Sequence, residues 1–226
     1  MVDATVLSYC ETLDHLFSLN RFGEKLGLDA PRALESALGR PLKEYDSILI
    51  GGTNGKGSTA AFLEAILRSK GLKVGLFTSP HLISFTERVR INGVDWSAQN
   101  VVDMAAPVLK LSTSLEFTFF EASWAMAARA FADAKVDVAI FEVGLGGRLD
   151  ATNVAEPVIS AITHIGLDHT AILGNTLEAI AREKVAILRP GRPALTAASG
   201  KGLEALRSVA PANLEVVSPI EDTIGL

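Results

Sequence analysis

The chain has 226 residues, 48% of them hydrophobic, a formal net charge of -5 and one cysteine. That length and apolar content allow a sizeable buried core, in one large domain or two small ones, and no apolar run approaches the roughly 18 to 20 residues that span a bilayer. Cys10 cannot form an internal disulfide and reads as a small packing residue. The N-terminus lacks a basic stretch followed by an apolar one, and no Lys/Arg cluster reaches the density of a nucleic-acid-binding face. These features lead to the expectation of a monomeric cytoplasmic protein with neither membrane nor nucleic-acid partner.

From Ala4 to Leu19, Val6, Leu7, Leu13, Leu16 and Phe17 fall on one face of a helix. Gly23 and Gly27 break the chain into a loop that holds Arg21, Phe22 and Leu26. A short helix from Pro31 to Leu38 follows, with proline in its first turn. Residues 1–45 are thus expected as a helical segment packed on a domain that spans 46–226.

That domain opens on DSILIGGTNGKGSTAAFLEAIL, Asp46 to Leu67. Ile48, Leu49 and Ile50 read as a strand, Gly51, Gly52, Gly55 and Gly57 as a tight turn exposing backbone N–H groups, and the helix is expected to start near Ser58. Free amides and the positive dipole end of that helix then face the turn, where an anion can sit and Lys56 adds a full charge. The stretch departs from the phosphate-loop pattern G-x-x-x-x-G-K-[ST] twice. Ile50 stands where the first glycine belongs, and Gly57 is inserted between Lys56 and Ser58.

Lys73 to Phe77 reads as a second strand, ending in Thr78-Ser79-Pro80-His81-Leu82, either a simple strand stop or a ligand loop at the carboxyl edge of a parallel sheet. Glu87 to Val94 alternates and ends in Asn92-Gly93, which predicts a short ribbon. Ser97 caps a predicted helix to about Leu111, and Thr118-Phe119-Phe120-Glu121 opens an Ala-rich helix to Ala132. Phe117, Phe119 and Phe120 suit either the core or an aromatic pocket. Val136 to Phe141 is a buried parallel-type strand, and Glu142 at its tip lies beside the glycine-rich run Gly144 to Asn153. There it can hold magnesium near phosphates, or pair with Arg148.

Val158 to Thr163 is the next strand, and His169 lies past its end on the side where Glu142 and the phosphate loop emerge. Asn175 to Leu188 is expected to be a helix with Asn175 as cap and Glu178 completing a capping box. Its inner stripe of Leu177, Ile180, Ala181, Lys184, Ile187 and Leu188 contains one charge. Lys184 either snorkels to water or has a partner that uses it. Strands over Pro193 to Ala197 and Leu214 to Val217, with a helix from Lys201 to Val209 between them, complete the alternation. The pattern implies an α/β fold with a doubly wound, mainly parallel sheet and its site along the carboxyl edge.

Five motifs in matching order, between about Thr12 and Gly191, resemble the folylpolyglutamate synthase and dihydrofolate synthase branch of the Mur ligase family. They are G-T-N-G-K-G-S, TSPHL with the following F-T-E-R-V-R-I-N-G, TFFEA, E-x-G-L-G-G-R-L-D-A-T-N, and G-L-D-H-T with the later R-E-K. The resemblance implies that Thr53, Asn54, Gly55, Lys56, Gly57 and Ser58 hold the phosphates of ATP. It implies two magnesium ions, one on Ser79 and Glu142 and a second on His169, with a carbamylated Lys184 behind it. It places dihydropteroate or a reduced folate against Thr118, Phe119, Phe120, Glu121, Leu149, Asp150 and Ala151, with the loop of Arg21, Phe22 and Leu26 alongside. Catalysis would fall to Lys56, Glu142, His169 and Lys184, and the reaction would be addition of L-glutamate through an acyl phosphate. It also implies a C-terminal glutamate-ligase domain beyond residue 226. Another Mur-type ligase, or a nucleotide-binding module without ligase activity, is the alternative.

Overall fold

The computed structural model describes residues 7–19, 27–211 and 213–217; Val6, Arg21, Phe22, Gly23 and Leu26 lie outside the described residues. The chain alternates strand and helix around one eight-stranded sheet: β1 (Asp46–Gly51), β2 (Val74–Phe77), β3 (Val89–Ile91), β4 (Val94–Asp95), β5 (Val138–Glu142), β6 (Ile159–Ile162), β7 (Ala194–Thr196) and β8 (Leu214–Val216), in the spatial order β4-β3-β2-β5-β1-β6-β7-β8. All pairings from β2 to β8 are parallel, while β3 and β4 add an antiparallel ribbon at one edge. The predicted α/β fold with a mainly parallel sheet is thus observed, and the ribbon is the predicted Asn92-Gly93 hairpin.

Strand alternation decides what lies on each face. Ile48, Ile50, Val74, Leu76, Val138 and Ile140 point to one side and pack under a single helix, α3 (Lys56–Ser69), through Ala60, Leu63 and Leu67. Leu49, Phe77, Ala139 and Phe141 point to the other side, into the larger core. That core is closed by α1 (Tyr9–Ser18), α2 (Asp29–Ala37), α4 (Ala98–Leu111) and α5 (Phe119–Asp133), with α7 (Leu177–Val185) and α8 (Gly200–Arg207) over the β6 to β8 side. Helix α5 carries Trp124 and Phe131 to full burial, each such side chain contributing about 2 to 3 kcal/mol. A Cβ on Gly75 would lie 2.5 Å from the Phe131 ring, so glycine at that strand position lets the aromatic helix approach.

Sequence signals for helix starts hold in several places. Ser97 accepts from Asn100 N and caps α4, and Thr118 accepts from Glu121 N and caps α5, each in a reciprocal capping box. Two expectations are corrected. Helix α3 begins at Lys56, not Ser58, because Gly55 takes a left-handed φ of 82° and turns the chain into the helix earlier. Helix α7 is capped by Thr176, whose hydroxyl accepts from Ala179 N, and not by Asn175 with Glu178; it ends at Val185 rather than Leu188. Thr176 is the residue with the extended backbone, φ -126° and ψ 154°, that an Ncap takes. A short helix α6 (Thr170–Leu173), which the sequence did not signal, lies between them. No helix among the described residues is long and apolar enough to cross a membrane.

Candidate functional site

The carboxyl ends of β1, β2, β5 and β6 form one rim. After β1 the chain passes Gly52 at φ 142°, where a Cβ would lie 2.0 Å from Thr163 Oγ1, so only glycine fits. The loop is held from the β6 side: Thr53 N donates to His164 O at 2.8 Å, Thr53 Oγ1 accepts from Gly166 N at 3.0 Å, and Thr163 Oγ1 donates to Asn54 O at 2.6 Å. No side chain caps α3, unlike α1, α4, α5 and α7. Asn54, Gly55 and Ser58 face solvent at the loop's outer side.

Two cations converge on this loop. Lys56 Nζ donates to Gly52 O at 3.1 Å and to Thr53 O at 3.2 Å, and Lys184 Nζ, from α7, donates to the same Gly52 O at 3.1 Å. Lys184 is 4% exposed, and burial, then the charge of Lys56, lowers its pKa from 10.5 to about 8. The snorkelling alternative for Lys184 is therefore not what the fold adopts. Like charges this close to one carbonyl disfavour each other, and an anion placed between them relieves the repulsion.

Glu142 follows Ile140 by two residues and so points to the face that α3 covers, directly under the start of that helix. It is 6% exposed, accepts from Ser79 N at 3.0 Å and also from Gly57 N, and burial raises its pKa against those hydrogen bonds and the charges of Lys56 and Arg88. The pairing of Glu142 with Arg148 does not occur: Arg148 reaches Glu183 at 3.0 Å, because Glu142 is turned under α3 while Arg148 sits on the exposed side of its loop.

The second set of expected residues gathers beside this rim. Asp150 is buried and accepts from Leu145 N at 2.8 Å, Thr152 N at 3.0 Å, Thr152 Oγ1 at 2.6 Å and Gly144 N, and burial raises its pKa. It organises the loop from within, with Ala151 buried and Leu149 half-buried beside it. A Cβ on Gly144 would lie 2.6 Å from the Phe120 ring, so this loop is moulded onto Phe120, which packs 5.8 Å from Phe77. The three aromatics divide. Phe117 is fully buried, Phe119 is buried and stacks at 4.9 Å on the exposed Phe17, and Phe120 is half-buried. Thr118 and Glu121 close the capping box of α5, and Glu121 also lines a cavity of about 390 Å³ against Ala30 and Ala33 of α2.

His169 takes a left-handed φ of 47° ahead of α6 and stays half exposed, its Nε2 3.7 Å from Asp168. Among the described residues no hydrogen bond or ion pair joins it to Glu142 or Lys184, although Asp168 is near enough to favour the charged form of Lys184. Nor do three or more His, Cys, Asp or Glu side chains form a ready cluster for a metal among the described residues. Sequence reasoning missed Arg88, 7% exposed, whose Nε donates to His81 Nδ1 at 2.8 Å. Its signal in the sequence was its place within the F-T-E-R-V-R-I-N-G motif, where it was given no role.

A parallel α/β sheet with a lysine-bearing glycine loop, an uncapped helix and a buried carboxylate at one rim defines a phosphate-binding ATPase-type domain. The Mur ligase middle domain matches residues 50–197, and the chain belongs to that family. Within it, the chain resembles the folylpolyglutamate and dihydrofolate synthases. It is 45% identical over 186 residues to the dihydrofolate synthase/folylpolyglutamate synthase of Bacillus subtilis, covering 78% of this chain and 43% of that protein. It is 42% identical over 209 residues to a probable bifunctional folylpolyglutamate synthase/dihydropteroate synthase of Haloferax volcanii, covering 90% of this chain and 25% of that protein. Among solved structures, an FPGS-AMPPCP-folate complex superposes with a TM-score of 0.85 at 32% identity, covering 93% of this chain and 54% of that one. E. coli FolC in complex with DHPP and ADP does so with a TM-score of 0.82 at 35% identity, covering 93% and 52%. The chain therefore spans about half the length of these relatives or less.

Proposed function

We propose that this chain is the ATP-binding part of a ligase that joins L-glutamate to dihydropteroate or a reduced folate. One observation carries the reading: Lys56 and Lys184 meet on the Gly52 carbonyl, beside a helix start whose Gly57 amide, together with Ser79 N, orients Glu142. The kinship with folate ligases supports the choice of substrate.

In this reading the phosphates of ATP lie on the loop from Thr53 to Ser58, with Lys56 on the terminal phosphates. An oxygen of the acceptor carboxylate attacks the γ-phosphorus, the bond from phosphorus to the bridging oxygen breaks, and ADP leaves. The amine of L-glutamate then attacks the acyl carbon, phosphate departs, and the ammonium proton passes to solvent or a nearby base. Lys56 and the loop amides favour the charge that builds on the transferring group. Ser79 and Glu142 supply the oxygens that fit a first magnesium ion, and His169 would contribute to a second; bound metal would offset phosphate charge. Lys184 fits carbamylation. Its amine is held neutral more readily than an ordinary lysine, so its nitrogen can attack carbon dioxide, release a proton to solvent and become an anion that would support the second expected ion from behind. The resulting negative charge would also relieve its repulsion with Lys56.

The test is nucleotide binding followed by turnover. The chain should bind a non-hydrolysable ATP analogue in a magnesium-dependent way, and Glu142→Gln and His169→Ala should each shift the magnesium titration to higher concentration. Unchanged titrations in both variants overturn the two-metal assignment. Glutamate-dependent phosphate release with dihydropteroate supports the ligase. Nucleotide binding without such release supports the nucleotide-binding module.

A further inference from the structure

Arg88 is a buried guanidinium that the phosphate chemistry above does not use. Its side chain lies over two rings, Cζ 5.0 Å from the centre of Phe119 and 5.8 Å from that of Phe85, and its carbonyl accepts from Thr78 N at 3.0 Å, which ties it to the loop of Ser79. Its one side-chain hydrogen bond among the described residues runs from Nε to His81 Nδ1, an acceptor that carries no negative charge. Glu142 is near enough to favour the charged form of Arg88 electrostatically, yet no ion pair joins them, since the Glu142 carboxylate is engaged by Ser79 N and Gly57 N. Both Nη atoms lack an acceptor among the described residues, and neither is sealed from solvent. A charge so little exposed, held rigid by two aromatic faces and a neutral imidazole, is costly unless an anion arrives to use it.

Its position names that anion. Arg88 touches Phe119, in the stretch assigned to the acceptor substrate, and through its carbonyl holds Thr78, next to the Ser79 whose amide binds Glu142 on the rim assigned to phosphate. The group that must lie between those two places is the carboxylate that attacks the γ-phosphorus. We infer that Arg88 is a catalytic residue of this chain that grips the acceptor carboxylate in a bidentate pair through its two Nη atoms and aims one oxygen at the transferring phosphorus. The inference rests on the ligase reading and deepens it. The guanidinium changes no bond itself. In the step it serves, one O–P bond forms, one P–O bond breaks and no proton moves. Because binding a carboxylate also tempers its nucleophilicity, the benefit comes from orientation, and Nε held by His81 fixes the plane of the fork. A lysine in the same place would keep the charge and lose that geometry.

The experiment measures binding to the chain saturated with a non-hydrolysable ATP analogue. Two ligands are compared, pteroate and the same molecule with hydrogen in place of its carboxylate. The wild type should prefer the acid by at least tenfold. Arg88→Gln should remove that preference while binding the acid-free ligand as the wild type does, and Arg88→Lys should retain part of it. Affinity for the nucleotide analogue reports whether each variant is folded. If Arg88→Gln fails to fold, the lysine variant decides alone: full preference in Arg88→Lys overturns the bidentate grip. Equal weakening of both ligands means that Arg88 only supports the aromatic cluster, and overturns the inference. A wild type that binds both ligands alike overturns the inference and leaves the ligase reading intact. A wild type that binds the nucleotide analogue and neither pteroate-type ligand overturns the ligase reading, and the inference with it.

Discussion

Two of the places where this molecule buries charge treat it in opposite ways. Between α3 and the edge ribbon, Glu64, 2% exposed, lies 3.3 Å from Arg90, which in turn holds Asp95 at 2.7 Å, so that opposite signs meet. At the rim, Lys56 and Lys184 share one carbonyl, Glu142 is held by amides, and Arg88 faces an imidazole. The ribbon charges are compensated within the fold, save for Glu64 Oε1, which has no hydrogen-bond partner among the described residues. The rim charges are compensated only in part. Of the four rim charges, Lys184, Glu142 and Arg88 are buried with only partial mutual relief, and since isolated buried charges cost several kcal/mol, a ligand would complete their balance under the proposed function.

This contrast can be broken from either side. The largest effect is expected at Lys184. With a folded pKa of about 8 against 10.5, the folded state binds this proton less tightly than the unfolded chain. Stability should therefore rise with pH between those values by about 3 kcal/mol and be lowest below pH 8, the sign opposite to a lysine stabilised by an ion pair. In carbon-dioxide-free buffer, Lys184→Met should be more stable than the wild type near pH 7 and should lose that rise. Parallel urea-midpoint profiles for the two proteins would show that Lys184 is not strained.

Next comes Lys56→Ala, which should weaken nucleotide binding about a hundredfold, the loss of a charge-assisted contact of about 2 to 3 kcal/mol, while thermal stability holds or rises as repulsion with Lys184 is removed. Wild-type nucleotide affinity would end the phosphate-loop assignment. Arg90→Leu should do the reverse, lowering stability by about 2 kcal/mol because Glu64 is left uncompensated, and leaving nucleotide affinity within about twofold. A variant that loses nucleotide affinity without losing stability would mean that the ribbon pair belongs to the site. The smallest effect is expected from Thr118→Ala, about 1 kcal/mol by urea unfolding, since this side chain caps α5. A drop in pteroate affinity much larger than the drop in stability would give Thr118 a part in substrate contact beyond capping.

The sheet, the glycine loop and the buried tip of β5 were legible along the chain because local physics writes them there. A run of apolar residues, a change of period from two to 3.6, and glycines that admit φ 142° or 82° are properties of neighbouring residues. The capping box of α5 was local too, and Thr118 to Glu121 reads along the chain as the opening of a helix. The cap of α7 was misplaced by one residue, because Asn175 and Thr176 are both competent caps and only the path of the chain from α6 selects between them.

Side chains brought together from distant parts of the chain were a different matter. That Lys56 and Lys184 share the carbonyl of Gly52, that Glu142 turns under α3 and away from Arg148, and that Arg88 is enclosed by Phe85 and Phe119 depend on strand order and helix seating. Chain order alone carries none of these distances. Residue types and spacing establish the elements and the family of this protein, since hydrogen bonding and hydrophobic period act over a few residues. Which charges stand beside each other, and which are left for a ligand, came only from the packed fold, because electrostatics depends on separation in space and on how much water the surrounding chain excludes.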